Sequence, residues 1–560
     1  VDALADRLIA LPDAATMRDV DRWAIEERGI AGLDLMERAG AGVARALERL
    51  VPDGPIAVAC GKGNNGGDGL VAARLLRDAG REVRVLCTSP PEEFSGDALA
   101  NLERLGGAGP VRLNGGRWGE AGGIANASGG PPAVGGGDAS GALAGVAVVV
   151  DALLGTGFDG APRGASAEAI AAINHSGLPV VSVDVPSGVD ASTGVVRGAA
   201  VRATVTVTFH AAKPGLWIRP GKAHAGTVEV LDIGIPRGAP TRAETRGSNG
   251  AGGRGVERAP IGLIAPTILE LLPRRGAAST KFTSGHVVIV GGSRDLSGAP
   301  SMAAQASMRA GAGYVTACVP LCLRGVLQSL GPAELMVRGF PEEDGWLAPD
   351  AVADVAAEAA RGGALALGPG LGRGEPAFAF ARLLARAAGV PLVLDADGLN
   401  AHAGCLEELA GREHPTVLTP HAGELGRLLE VESAAVERER LEHVRTAAAR
   451  AQAVVVLKGD DTLVADADGQ VAVSAGNSPA LATAGSGDVL SGIIAALLAQ
   501  GLDAFAAAAA AVQLHADAGR RAAFRRGSAE GVIATDLIAV LPEVRGGSPD
   551  PSAVSPGTGR

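Results

Sequence analysis

Ala482-Thr-Ala-Gly-Ser-Gly-Asp-Val-Leu-Ser-Gly-Ile-Ile-Ala-Ala-Leu497 is a glycine-rich turn that runs straight into an apolar helix. The turn spans 484–487, and Asp488 is the lone carboxylate at the helix mouth. Outward-pointing N–H groups at a helix N-terminus carry partial positive charge and attract anions. Gly485 and Gly487 let that backbone approach a phosphate closely. An acid beside such a turn can take a proton from a hydroxyl while the N–H groups hold a phosphoryl oxygen.

Strand and helix patterns alternate on both sides of a polar stretch at 237–260. Before it, helices are predicted over 16–26, 34–50 and 70–79, and strands over 56–60, 82–87, 146–150 and 180–183. After it, strands are predicted over 286–290, 314–319, 364–367, 391–394, 416–418 and 454–457, with a hairpin of 462–465 and 470–473. The strands are continuous apolar runs, which suits parallel sheets buried on both faces. The chain of 560 residues is therefore expected to hold two α/β domains. They occupy 1–236 and 261–545, with 237–260 as linker. The stretch 106–145 reads as a flexible Gly-rich insertion and 546–560 as a disordered tail.

Apolar residues make up 47% of the chain and aromatics only 2%, so the cores must be built from Ala, Val and Leu. Few aromatics and a net charge of -11 argue against nucleic-acid binding. The longest apolar runs are interrupted by Gln500 and Asp503, which reads as buried helix and not membrane span. No leader pattern opens the sequence. Cys60, Cys87 and Cys318 lie in strand-like runs; with Cys322 they read as reduced core thiols, and a cytoplasmic setting is expected.

A second glycine-rich site lies in the first half. Gly61-Lys-Gly-Asn-Asn-Gly-Gly-Asp-Gly69 sits between a strand and a helix. It fits G-x-G-x-x-G, but the next strand ends Val85-Leu-Cys-Thr-Ser-Pro90, without the acid a dinucleotide site places on the ribose. Two further strands end in Asp151-Ala-Leu-Leu-Gly-Thr-Gly157 and Asp184-Val-Pro-Ser-Gly188. In an open α/β sheet, ligands bind at the carboxyl ends of strands. Any one of these residues is at home as a cap or turn. Three polar strand ends converging are better explained as one pocket.

These three motifs together resemble the YjeF N-terminal domain, the NAD(P)H-hydrate epimerase family, over roughly 11–236, with a Rossmann-like three-layer fold. The resemblance implies that Asn65, Asp151 and Ser187 bind a potassium ion. It implies substrate contacts from Asn64, Asn65, Gly66, Gly67 and Asp68, from Gly155, Thr156, Gly157 and Phe158, and from Asp184. Asp184 would be the catalytic base or acid as the two epimers interchange.

In the second half, Gly368-Pro-Gly-Leu-Gly372, Thr419-Pro-His-Ala-Gly-Glu424, Lys458-Gly-Asp-Asp-Thr462 and Gly291-Gly-Ser293 each follow a strand. With the turn at 484–487 they resemble the ribokinase-like YjeF C-terminal domain, the NAD(P)H-hydrate dehydratase, over roughly 263–541. Ala422 stands where the family has a second proline. The resemblance implies that Gly370, His421 and Asp488 contact the hydrated nucleotide, with Asp488 as base. Lys458, Gly459, Asp460, Asp461 and Thr462, with Ala484, Gly485, Ser486 and Gly487, would line the adenine nucleotide. The expected substrates are NADHX and NADPHX, with ADP as co-substrate, magnesium beside it, and a homo-oligomeric assembly. Two rivals are a kinase of a vitamin-like alcohol and a non-enzymatic nucleotide sensor. The first-half motifs oppose the kinase; the acids Asp184 and Asp488 oppose the sensor.

Overall fold

The computed structural model describes residues 4, 6–112, 139–236, 260–476 and 478–547. They form two compact units: residues 11–236, and residues 260–547 together with the chain up to Ala10. Most of the expected insertion, nearly all of the linker and nearly all of the tail lie outside the described residues.

The strand β1 (Leu8–Ala10) belongs to the second unit and is taken up there. The first unit opens with helices α1 (Ala14–Glu26) and α2 (Gly32–Leu50). Asp13 caps α1, accepting a hydrogen bond from the Thr16 N–H at 2.8 Å. Then come β2 (Ile56–Cys60), α3 (Asn64–Asp78), β3 (Val83–Cys87), β4 (Val111–Arg112) and β5 (Val148–Ala152). After α4 (Gly164–His175) follow β6 (Val180–Val183), β7 (Val205–Phe209) and β8 (Thr227–Leu231). The seven strands lie in the order β4-β3-β2-β5-β6-β7-β8, every pair parallel. Val58 and Cys60 pack under the layer of α1, α2 and α3, and Ala57 and Ala59 pack under that of α4, so both faces are buried. This is the Rossmann-like three-layer arrangement expected. β4 pairs with β3, so the sheet reaches into the segment read as a flexible insertion.

The second unit holds β9 (Ile261–Ile264), β10 (His286–Val290), α5 (Gly298–Arg309), β11 (Tyr314–Pro320), β12 (Met336–Phe340) and a small hairpin, β13 (Glu342–Glu343) with β14 (Trp346–Leu347). It continues with β15 (Ala364–Leu367), β16 (Leu392–Leu394), β17 (Thr416–Leu418), α6 (Ala422–Leu429) and β18 (Val454–Leu457). It ends with β19 (Leu463–Ala465), β20 (Val471–Val473), α7 (Ser486–Ala499), α8 (Ala504–Arg526) and α9 (Ala534–Gly546). Eleven strands form one sheet in the order β1-β9-β20-β19-β18-β17-β16-β15-β10-β11-β12. From β18 to β12 all pairs are parallel, and the expected hairpin of β19 and β20 is antiparallel. Val287, Ile289, Ile493, Ile494 and the alanines of α8 share one core.

One boundary is corrected. The sequence reading gave residues 1–236 to the first domain, but β1 pairs antiparallel with β9, Leu8 opposite Ile264. The pairing covers what would otherwise be an open sheet edge at β9.

Strand order reverses between β2 and β5 in the first sheet and between β10 and β15 in the second. At such a point neighbouring loops diverge at the carboxyl ends of the strands and leave a crevice for a ligand.

Candidate active sites

The first crevice is built by backbone packing. A Cβ on Gly61 would fall 2.0 Å from the Leu153 carbonyl oxygen, and one on Gly66 would fall 1.8 Å from that of Gly61. The turns after β2 and β5 therefore touch backbone to backbone, which only glycine allows. Helix α3 starts at Asn64, earlier than predicted, so Gly66 and Gly67 lie in its first turn and Asp68 just beyond it. Gly66 and Gly67 are buried and do not line the cavity; a Cβ on Gly67 would meet the Met36 sulfur at 2.6 Å. At these two positions the absence of a side chain serves packing.

The cavity measures about 620 Å³. Of the expected substrate residues, Asn64, Asn65, Asp68, Gly155, Thr156, Gly157, Phe158 and Asp184 all line it. Asp151 and Ser187 lie fully buried and outside its lining. The Ser187 hydroxyl donates to Asp151 Oδ1 at 2.5 Å, and the Ser187 N–H and Ser182 hydroxyl donate to Oδ2 at 2.9 and 2.8 Å. Asn65 is the exception in this satisfied set: its side-chain Oδ1 and Nδ2 are buried without a hydrogen-bond partner. A buried amide so left is costly unless something binds it. An amide oxygen, a carboxylate and a hydroxyl are the donors a hard cation takes, so these residues fit the expected potassium ion.

Asp184 sits just past β6 in the left-handed region, with φ of 64°. Strain of this kind in a non-glycine residue clusters at functional sites. Its Oδ1 accepts from Lys213 Nζ at 2.6 Å and from the Thr208 hydroxyl at 3.0 Å. Lys213 is only 1% exposed, and its ammonium also donates to Thr208 Oγ1 and to the Phe209 carbonyl. Sequence reasoning missed Lys213, and it missed Asp21, which lines the cavity from α1. Burial pushes the Asp68 carboxyl well above the usual range, and the charges of Asp184 and Asp21 add to this while Lys213 opposes it. Burial also raises Asp21 and Asp151. The cavity thus holds both an ion-paired carboxylate, Asp184, and a carboxyl, Asp68, whose burial favours its protonated form.

The second crevice opens where the loops after β10 and β15 meet. A Cβ on Gly291 would fall 2.1 Å from the Pro369 carbonyl oxygen. Gly370 has a φ of 65° and lies against the Leu296 carbonyl. Gly485, with a φ of 86°, is the N-cap of α7, and a Cβ there would strike Met302 at 2.5 Å. The glycine turn thereby delivers Ser486, Gly487 and Asp488 as the first turn of α7, two residues earlier than the helix start read from the sequence. The Ser486 hydroxyl faces His515 Nε2 at 3.2 Å instead of open space.

Beside that turn lies a charged group the sequence reading missed. Asp395, just past β16, is 2% exposed. It accepts from Thr419 Oγ1 at 2.8 Å, Lys458 Nζ at 3.0 Å and Ser491 Oγ at 2.5 Å. Lys458 also faces Glu424 Oε2 at 3.7 Å. A Cβ on Gly487 would lie 3.4 Å from Lys458 Nζ, so the ammonium adjoins the glycine turn. Burial works against the Lys458 charge; Asp395 and Glu424 outweigh it and raise its pKa. Burial, then Asp395, lifts the Asp488 carboxyl from 3.8 to about 7, with Lys458 opposing.

His421 caps α6. Its Nδ1 accepts from the Gly423 and Glu424 N–H groups at 3.0 and 3.2 Å, which places the ring proton on Nε2. Glu424 returns a bond to the His421 N–H at 2.9 Å, completing a capping box. About half of the His421 side chain remains exposed, with its Nε2 3.5 Å from Glu424 Oε1.

The turn at 458–462 departs from expectation. Asp461 is fully buried against Arg440, whose Nε donates to it at 3.0 Å. A Cβ on Gly459 would meet the same guanidinium at 2.5 Å. Thr462 Oγ1 closes the turn on the Gly459 carbonyl at 2.7 Å. Asp461 and Thr462 therefore shape the turn, and Lys458 points to the Asp395–Asp488 cluster. Cys318 is buried as expected, whereas Cys322 is exposed, and its N–H donates to Glu342.

Comparison with known proteins gives concordant results for both units. Residues 32–215 match the family described as the YjeF-related protein N-terminus, and residues 287–543 match NAD(P)H-hydrate dehydratase. A bifunctional NAD(P)H-hydrate repair enzyme of Moorella thermoacetica is 41% identical over 95% of this chain and 96% of its own length. One of Salinibacter ruber is 40% identical over 95% of each. Among solved structures, an ADP/ATP-dependent NAD(P)H-hydrate dehydratase of Bacillus subtilis, co-crystallised with ATP and magnesium, is 29% identical. It covers 52% of this chain and 98% of its own, with a TM-score of 0.44. By full-length identity to such relatives, and by the order of its two matched domains, the chain belongs to the bifunctional NAD(P)H-hydrate repair enzymes.

Proposed function

We propose that the first unit interconverts the R and S hydrates of NADH and NADPH, and that the second dehydrates the S form at the expense of ADP. Family membership supports the pair of activities. The observation that carries the residue assignment is the carboxylate in each crevice: Asp184 paired to Lys213, and Asp488 at the mouth of α7.

In the first cavity, Asp184 accepts the proton of the ring hydroxyl as the carbon–nitrogen bond opens to an aldehyde; the nitrogen keeps the bonding pair and takes up that proton. Rotation and reclosure give the other epimer, and the proton returns. Asn65, Asp151 and Ser187 would hold potassium, whose fixed charge favours the negative groups of the nucleotide.

In the second site, Asp488 takes the hydroxyl proton and the oxygen attacks the terminal phosphorus of ADP, releasing AMP. The N–H groups of the glycine turn receive the developing phosphoryl charge. The ring nitrogen lone pair then expels phosphate, and loss of a proton from the adjacent carbon restores the dihydronicotinamide. Water leaves the hydrate as the oxygen of phosphate and two protons, so the balance closes. Magnesium would travel with the nucleotide.

The test is to incubate the full chain with both epimers and ADP, and separately ATP, following dihydronicotinamide absorbance and the epimers by chromatography. Recovery of all hydrate with ADP is expected, with epimer interconversion persisting when nucleotide is omitted. No recovery with either nucleotide would refute the dehydratase assignment.

A further inference from the structure

Asp395 lies outside the residues that touch the substrate in this reading, yet it accepts three side-chain hydrogen bonds within the second unit's crevice. Its three donors come from three different elements: Thr419 after β17, Lys458 after β18 and Ser491 within α7. Ser491 in turn donates to the Gly487 carbonyl at 3.0 Å, inside the turn that carries Asp488. A side chain that only capped a turn would not gather a buried ammonium as well.

We infer that Asp395 is a positioning residue for the dehydration: it fixes the Lys458 ammonium beside the Gly487–Asp488 turn, where that ammonium meets the transferring phosphoryl group. The inference rests on the dehydratase reading above. The geometry supports it in two ways. Lys458 Nζ is held between Asp395 at 3.0 Å and Glu424 at 3.7 Å, so a long flexible side chain has one place to be. A Cβ on Gly487 would lie 3.4 Å from Lys458 Nζ and 4.0 Å from Asp395 Oδ2, so both groups stand next to the turn. An ammonium aimed at a phosphoryl group in a water-poor site stabilises the transition-state charge far more than in solution.

The charged groups facing Asp488 come from every wall. Asp395 stands at the end of β16, Glu424 in α6 and Lys458 at the end of β18. Asp395 and Glu424 make proton loss from Asp488 harder, and Lys458 makes it easier. Removing Asp395 must therefore shift the Asp488 titration down, and removing the Lys458 charge must shift it up. A residue with only a packing role would move neither.

The experiment uses the full chain carrying Asp395→Asn, Lys458→Met or both. Dehydration with ADP is measured across pH, with circular dichroism to confirm folding. The Asp488 carboxyl is also titrated without turnover by carbonyl carbon-13 resonance in aspartate-labelled protein, with Asp488→Asn as the assignment. Lys458→Met is expected to lower kcat about 100-fold or more, the loss seen when one preorganised charge donor is removed. Asp395→Asn is expected to lower kcat about 10-fold with KM for the hydrate nearly unchanged. The acid limb moves to lower pH in Asp395→Asn and to higher pH in Lys458→Met. The double variant is no slower than Lys458→Met alone, because Asp395 acts through that lysine. An Asp488 titration unmoved in both folded single variants, or moved in the same direction in both, overturns the inference. Failure of the unaltered chain to dehydrate at all would instead refute the reading on which it rests, while the titration still decides this one.

Discussion

Asp488 must be buried to act and is destabilising because it is buried. Its carboxyl titrates at about 7 in the folded chain against 3.8 unfolded. A protonated acid cannot take the hydroxyl proton, so dehydration is expected to fall as pH drops below about 7, one decade per unit. The stability sign is the reverse. The folded pKa is raised, so the contribution is fully present below 3.8 and is lost as pH rises through about 7. Asp488→Asn removes the burden. At pH 8 the variant is expected to be more stable than the unaltered chain by about 4 kcal/mol, with the difference gone by about pH 3. Denaturant titration at the two pH values checks this; a variant less stable at pH 8 would show that Asp488 is held by a partner. Asp488 was legible in the sequence because its turn and helix are contiguous. Asp395 was not selected, although it ends a predicted strand just as Asp151 and Asp184 do. Lys213 was beyond reach for another reason: it meets Asp184 across 29 residues of chain. It does so through β7, a strand the apolar pattern does not reveal.

β7 shows where the pattern fails at the scale of an element. Its sequence alternates Val and Thr, which reads as a half-exposed segment. In the fold Thr206 and Thr208 are both fully buried. Thr206 Oγ1 donates to the Ala225 carbonyl at 2.6 Å, and Thr208 Oγ1 donates to Asp184. Satisfied hydroxyls bury at little cost, so the polar letters hid a core strand. The continuous runs β2, β6, β10, β15, β17 and β18 gave no such trouble and lie where the apolar letters begin and end. Helix positions near the second site depend on close approach. A Cβ on Gly492 of α7 would lie 2.2 Å from the Ala303 carbonyl oxygen of α5. Backbone cannot yield there without separating the helices. Gly492→Ala is expected to destabilise the second unit by about 2–3 kcal/mol, read as a lower denaturant midpoint. It is also expected to weaken ADP binding, because α7 carries the phosphate turn. An unchanged midpoint would mean the two helices slide apart freely.

At the scale of the whole molecule, each unit is a separate α/β layer structure with its own switch-point crevice, and the chemistry divides accordingly. A ligand that binds only the native state of one unit stabilises that unit by mass action. ADP added to the full chain is expected to slow amide hydrogen exchange within residues 260–547, most at the turns around Gly487 and Lys458. Residues 11–236 should be unaffected. Protection confined to the first unit would reverse the assignment of the two sites. The division also explains why both halves of the repair occur in one chain: a dehydratase that accepts one epimer leaves the other behind, and an epimerase converts the remainder. The most direct measurement of this account is the extent of repair of a mixture of R and S hydrates with ADP by three proteins. The unaltered chain should restore all of the dihydronicotinamide. Folded Asp184→Ala should stop at the S fraction, apart from slow spontaneous exchange, and folded Asp488→Asn should restore none while still interconverting the epimers. Complete repair by Asp184→Ala at the unaltered rate, or any near-normal dehydration by Asp488→Asn, would contradict it.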